Sequence, residues 1–126
     1  MSEMKPNHLD QVISELAGRL SARRCRGLKV NLSGSDYPIP GKIGFQNSPE
    51  EGRIPDITTD VPAFIIKVED CESMGDPKTL EYCKQLSAHA RNNFKTFILA
   101  VPRSCMDRVK IRMGSSKIIH IQYIWY

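Results

Sequence analysis

Acidic and basic side chains interrupt two short apolar runs in segment 54–73, and these are the residues of the sequence most able to do chemistry. Each run has the length and composition of a β-strand, and the turn formers between them predict a hairpin. Residues two apart in a strand point to the same face, so the hairpin would bring Asp56 close to Lys67 and Glu69. Carboxylates bind divalent ions and an ammonium stabilises charge on a phosphoryl group. The three side chains therefore predict a metal-dependent phosphodiesterase site.

The residues before this segment predict one helix and two strands. Apolar residues between position 7 or 8 and position 24 recur at three- and four-residue spacing, which is typical of an amphipathic helix with Asn7 as its cap. The alternation over 28–32 predicts a half-buried strand. A short strand is expected at 42–45, followed by a turn-rich loop over 46–53.

The residues after the segment predict helices and strands in alternation. Asp76 is the expected N-cap of a helix that has Pro77 in its first position and ends at 91–93. The continuous apolar run 95–102 predicts a central strand covered on both faces. A short helix over 105–113 and a last strand over 117–126 complete an α/β fold, a mixed central β-sheet flanked by helices.

Length and composition indicate one domain over residues 1–126, since 126 residues with 40% apolar content suffice for one core. Lys and Arg outnumber Asp and Glu by 18 to 14, which favours a polyanionic partner only mildly. No apolar stretch has the length of a secretory signal or a membrane span, so we expect a cytoplasmic protein with no membrane partner. The four cysteines form no Cys-x-x-Cys pair, and we expect free thiols in a reducing compartment.

The element order and the motif together resemble the restriction-endonuclease-like superfamily, the PD-(D/E)xK nucleases. Pro55-Asp56 corresponds to the Pro-Asp of that family, and the strand with Lys67 and Glu69 takes the place of its (D/E)xK. The resemblance implies a restriction-endonuclease-like fold and hydrolysis of phosphodiester bonds in DNA with Mg²⁺ or Mn²⁺. It makes Asp56 a metal ligand and reserves position 67 for a second acid and position 69 for a catalytic lysine.

This sequence departs from the family pattern because Lys67 and Glu69 stand in the reversed order. Three explanations are open. Glu69 binds the metal while Lys67 approaches the phosphate after a small shift, or Glu72 or Asp70 supplies the missing ligand from the end of the strand. In the third explanation the metal chemistry has been lost, and Lys67 forms a plain ion pair.

These explanations lead to two functional hypotheses on the same scaffold. The first is a metal-dependent nuclease with Asp56, Lys67 and Glu69 as catalytic residues and with Asp56, Glu69 and Glu72 as metal ligands. The second is an inactive nuclease-fold protein that binds nucleic acid or serves as an assembly module. The aromatic ending, up to Tyr126, suits a core strand or an interface, and a homodimer would enlarge the surface that grips a duplex.

Overall fold

Three helices and seven strands make up the described part of the chain. The computed structural model describes residues 8–45 and 48–126. The helices are α1 (His8–Ala22), α2 (Pro77–Asn92) and α3 (Met106–Ser115). The strands are β1 (Lys29–Val30), β2 (Ile43–Phe45), β3 (Ser48–Arg53), β4 (Ile57–Thr59), β5 (Phe64–Val68), β6 (Thr96–Val101) and β7 (Gln122–Trp125). Short 3₁₀ turns lie at Ser73–Gly75 and Arg103–Cys105.

Five of the strands form one mixed sheet in the order β1-β4-β5-β6-β7, and β2 and β3 form a separate antiparallel pair. β4 is antiparallel to both β1 and β5, whereas β6 is parallel to β5 and β7. In the β4–β5 hairpin, Ile57 lies opposite Ile66. The predicted hairpin is therefore confirmed.

Helices cover both faces of this sheet and enclose two apolar cores. α1 packs on one face, where its buried side chains meet Ile66, Ile98 and Ala100. α2 and α3 pack on the other face, against Phe97 and Leu99. Successive residues of β6 thus alternate between the two cores, which confirms that this strand is covered on both faces. The protein is a small α/β domain of three layers.

Several predicted elements differ from the observed ones. The prediction of a loop over 46–53 is wrong in part, because residues 48–53 form β3. Residues 46 and 47 lie outside the described residues. The predicted helix cap Asn7 also lies outside them. β6 is an interior strand, but the middle of the sheet is β5. The last strand is shorter than predicted. The start of α2 is confirmed, since the Asp76 carboxylate accepts the Lys78 N–H at 2.9 Å. None of the described helices has the length and apolar character needed to cross a bilayer.

The prediction that all four cysteines are free is wrong, because Cys71 and Cys105 form a disulfide across 34 residues of sequence. Cys71 follows the end of β5, and Cys105 follows the end of β6. Parallel neighbours end at the same edge of a sheet, and this brings the two Cα atoms within 5.9 Å. Cys25 and Cys83 are free. The cysteines therefore no longer support the reducing compartment that was expected from their spacing.

Each helix is followed by a residue other than glycine with a left-handed backbone. Arg24, Phe94 and Lys117 have φ values of 61°, 57° and 62°. This conformation costs an L-residue about 1–2 kcal/mol, and glycine or asparagine usually takes it at a helix end. Phe94 is 95% exposed, so packing of its ring offsets almost none of that cost.

We predict that Gly27→Ala lowers the free energy of unfolding by about 1–2 kcal/mol. Gly27 has a φ of +68°, and an added Cβ would lie 2.0 Å from Asp60 Oδ2. Denaturant unfolding followed by circular dichroism measures the change. Gly18→Ala is the matched control: Gly18 lies in α1 with nothing within 4 Å of an added Cβ, so alanine should stabilise the helix there. Equal effects of the two substitutions would contradict the prediction.

Candidate functional site

The predicted site residues meet at the end of the β4–β5 hairpin. Asp56 immediately precedes β4, Lys67 lies in β5 and Glu69 follows β5 by one residue. Lys67 and Glu69 share the face of Ile65, which belongs to the core under α2 and α3. The Glu69 N–H donates to the Ala100 carbonyl at 3.0 Å, which extends the pairing with β6 past the end of the strand.

The Lys67 ammonium lies between the two carboxylates. Its Nζ is 2.5 Å from Glu69 Oε2 and 3.4 Å from Asp56 Oδ2. The side chains of Lys67, Asp56 and Glu69 are only 17%, 15% and 9% exposed. Because water reaches this cluster poorly, each carboxylate depends on Lys67 for compensation of its charge.

Neighbouring groups fix both carboxylates in place. Asp56 Oδ2 accepts the Val68 N–H at 2.7 Å, which holds the carboxylate against β5. The Ser73 hydroxyl donates to Glu69 Oε1 at 2.5 Å, from the turn that leads into α2. The Tyr126 hydroxyl donates to the Glu69 carbonyl at 2.8 Å. Three separate parts of the chain therefore set the geometry of the cluster.

The electrostatics of the cluster keep the lysine charged. Burial by itself would lower the pKa of Lys67, but the Asp56 and Glu69 carboxylates outweigh burial and the pKa is raised. For Asp56, burial raises the pKa more than the Lys67 charge and the Val68 N–H lower it. Removal of the lysine would therefore leave Asp56 buried without its main compensating charge.

The arrangement does not fit a divalent ion as it stands. The space between the two carboxylates, where an ion would bind both, holds the Lys67 ammonium. Glu72, the third predicted ligand, is exposed beside the Ser73–Gly75 turn. Among the side chains that the structure describes, no group of three or more His, Cys, Asp or Glu is placed to hold a metal.

A pocket of about 330 Å³ opens beside the cluster, at the start of α2. Its lining includes Lys67 and Glu69 together with Arg53, Lys78 and Tyr82. The Arg53 guanidinium lies over the Tyr82 ring, with Cζ 4.9 Å from the ring centroid, and Lys67 Nζ lies 5.8 Å from the same centroid. In the described part of the chain, only Lys67 forms ion pairs with carboxylates. Arg53 and Lys78 pair with none of the carboxylate side chains that the structure describes.

Three residues of the site were not predicted from the sequence: Ser73, Tyr126 and Arg53. For Ser73 the signal was its position four residues after Glu69, beyond the end of the strand. A turn at that point brings the Ser73 hydroxyl back to the Glu69 carboxylate. Tyr126 was expected in a core strand or an interface, and no local pattern relates its hydroxyl to Glu69, 57 residues away. Arg53 fell in a segment predicted as a loop.

Comparison with known proteins identifies no relative of this chain. No protein-family model, no curated protein and no solved structure matches it. Function is therefore inferred from the residues of the site and their geometry.

We predict that Lys67→Met lowers the free energy of unfolding at neutral pH by about 3–5 kcal/mol, because it leaves buried carboxylates without a counter-charge. The loss depends on pH. Without the ammonium, the pKa of folded Asp56 rises further above the ordinary value of 3.8. The folded state then binds more protons than the unfolded state, so stability falls as pH rises above 3.8 through that window. Unfolding curves between about pH 4 and pH 8 should show the smallest loss at the acidic end.

Two further variants test the origin of this loss. Lys84→Met removes an exposed lysine from α2 and should change stability by no more than about 0.5 kcal/mol at any pH. Adding Asp56→Asn to Lys67→Met should recover part of the stability, because the added change removes one uncompensated charge. A pH-independent loss in Lys67→Met would show that packing, and not charge, is the main role of Lys67.

Proposed function

We propose that this chain is a nucleic-acid-binding protein on a restriction-endonuclease-like scaffold, in which Lys67 supplies the positive charge that a divalent ion supplies in a nuclease. The observation that carries the proposal is the Lys67 ammonium, 2.5 Å from Glu69 and 3.4 Å from Asp56. The succession of α1, a group of strands that ends in the β4–β5 hairpin, α2 and β6 supports the scaffold, although the structure has five strands before α2 where the sequence predicted four, and β2 and β3 pair outside the main sheet. The hydrolysis of DNA that the resemblance implies stays a prediction.

The pocket beside the cluster supports the binding of phosphate. Arg53 and Lys78 are exposed residues of its lining, and neither forms an ion pair with a carboxylate side chain that the structure describes. Asp76, an acid in the lining, already accepts the Lys78 N–H as the cap of α2. Cations that neutralise phosphates release counterions from nucleic acid, so binding through this pocket should weaken with salt.

We predict that the wild-type protein binds labelled duplex DNA without metal, and that Arg53→Ala/Lys78→Ala weakens binding about 10-fold or more at low salt. The slope of log K against log salt should fall by about one for each cation lost. Fluorescence anisotropy in EDTA, between about 50 and 200 mM salt, measures both quantities. Arg108→Ala/Lys110→Ala is the matched control, because it removes two exposed charges of α3 that do not line the pocket. Identical slopes for the two double variants, or no binding by the wild type, would refute the proposal.

We predict that exchanging the two residues of the motif creates a divalent site that the wild type lacks. Lys67→Glu/Glu69→Lys restores the order of acid and lysine in the family pattern, so a carboxylate replaces the ammonium beside Asp56. Isothermal titration with Mn²⁺ should detect binding by the exchanged variant and none by the wild type. The same proteins are then incubated with plasmid DNA and Mn²⁺.

The outcome for the wild type decides between the two functions. Mn²⁺ binding by the wild type, with DNA cleavage abolished by Asp56→Ala, would replace this proposal with the nuclease prediction. Circular dichroism checks that each variant is folded.

A further inference from the structure

Four turns meet at the end of the sheet where the parallel strands begin, whereas the candidate site lies where those strands end. They comprise residues 23–27, 60–63, 91–95 and 117–120, and we call them the basic edge. The Arg26 N–H donates to the Val61 carbonyl at 2.9 Å, and the Thr96 N–H donates to the Ala63 carbonyl at 2.9 Å. His120 Nε2 lies 3.1 Å from the Lys95 carbonyl. These contacts join the four turns into one surface.

Positive charge is concentrated on this surface. Asp60 is its one acid, and its cations are Arg23, Arg24, Arg26, Arg91, Lys95 and Lys117. The whole chain carries a net charge of only +4, so the basic edge holds more than its share. Neither of the ion pairs in the described residues involves these cations. Compensation of helix dipoles accounts for arginine in a last helical turn but not for the cations beyond the helix ends, none of which forms an ion pair with a described carboxylate.

Apolar side chains protrude among these cations. Val61 is 57% exposed, Ile119 is 82% exposed and Phe94 is 95% exposed. Exposed apolar residues scattered singly need no explanation, whereas these three lie in three of the four turns of one surface.

The ring of Phe94 contributes little packing, and its backbone is left-handed. Phe94 is the left-handed residue after α2, and the Lys95 N–H closes the helix end by donating to the Ala90 carbonyl at 2.8 Å. Asparagine or glycine would take this conformation more easily. Asn92 and Asn93 stand directly before it in the sequence, yet the position carries an aromatic ring that the protein does not bury.

We propose that the basic edge binds single-stranded nucleic acid, with a base stacked on Phe94 and the flanking cations on the phosphates. Stacking on an aromatic ring within a positively charged surface is the general mode of binding single strands. Unpaired bases present the faces that such a ring needs, whereas a duplex keeps its bases stacked on one another. The inference takes nucleic acid as the ligand from the proposed function, but uses a different surface from the pocket beside Lys67.

The test measures anisotropy of a labelled oligothymidylate of about 15 nucleotides and of a duplex of equal length. Phe94→Asn should weaken single-strand binding about 5- to 150-fold, as expected for the loss of one stacked base, and leave duplex binding unchanged. Phe94→Tyr should keep the affinity. The thermal midpoint of Phe94→Asn should stay the same or rise, because asparagine tolerates the left-handed backbone.

Control variants separate this inference from the proposed function. Ile111→Asn replaces a 69% exposed apolar residue of α3, away from the basic edge, and should not affect binding. If Phe94→Asn alone weakens single-strand binding while Arg53→Ala/Lys78→Ala changes nothing, the basic edge stands and the pocket proposal fails. If Arg53→Ala/Lys78→Ala weakens binding while Phe94→Asn changes nothing, the pocket proposal stands and the basic-edge inference fails.

Three further results would also overturn the inference. These are unchanged single-strand affinity in Phe94→Asn, a loss of affinity matched by a lower thermal midpoint, and Phe94-dependent sedimentation with phosphatidylglycerol vesicles without an effect on the oligonucleotide.

Discussion

The ammonium of Lys67, enclosed by two poorly hydrated carboxylates, is the contact on which the candidate site depends. A fold that brings Asp56 and Glu69 to one end of a hairpin must neutralise them, since isolated buried charges are costly. Lys67, which lies on the strand of the hairpin next to Glu69, neutralises them at short range without a bound metal ion. Buried ion clusters of this kind contribute little net stability but are expensive to break, so they fix the geometry more than they strengthen the fold.

The surroundings of the cluster tie its geometry to the whole domain. Ser73 reaches Glu69 from the turn before α2, and Tyr126 reaches the same residue from beyond β7. The Cys71–Cys105 disulfide joins that turn to the residues that lead into α3. The positions of the carboxylates therefore depend on the turn before α2, on the end of the chain after β7 and on the segment that leads into α3. The basic edge lies at the other end of the strands, and its turns depend on hydrogen bonds of their own.

Local patterns in the sequence predicted those features that depend on near neighbours. Alternation placed Lys67 and Glu69 on one face, the Asp76-Pro77 pair predicted the start of α2, and an apolar run predicted β6. Contacts between distant residues left no such pattern. The disulfide follows from two parallel strands ending together, and the hydroxyl of Tyr126 is aimed by the path of β7. The left-handed backbone of Phe94 was not predictable either, because asparagine or glycine usually takes that conformation at a helix end.

The order of Lys67 and Glu69, reversed relative to the motif that the sequence resembles, also has a genetic meaning. Lysine and glutamate codons differ by a single first-position base, so two transitions would convert one order into the other. Each intermediate, however, places either three carboxylates or two ammonium groups around the same buried point. The first lacks any internal cation and the second repels itself beside a single acid. We therefore expect the single variants between the two orders to be less stable than either order, although only two bases divide them.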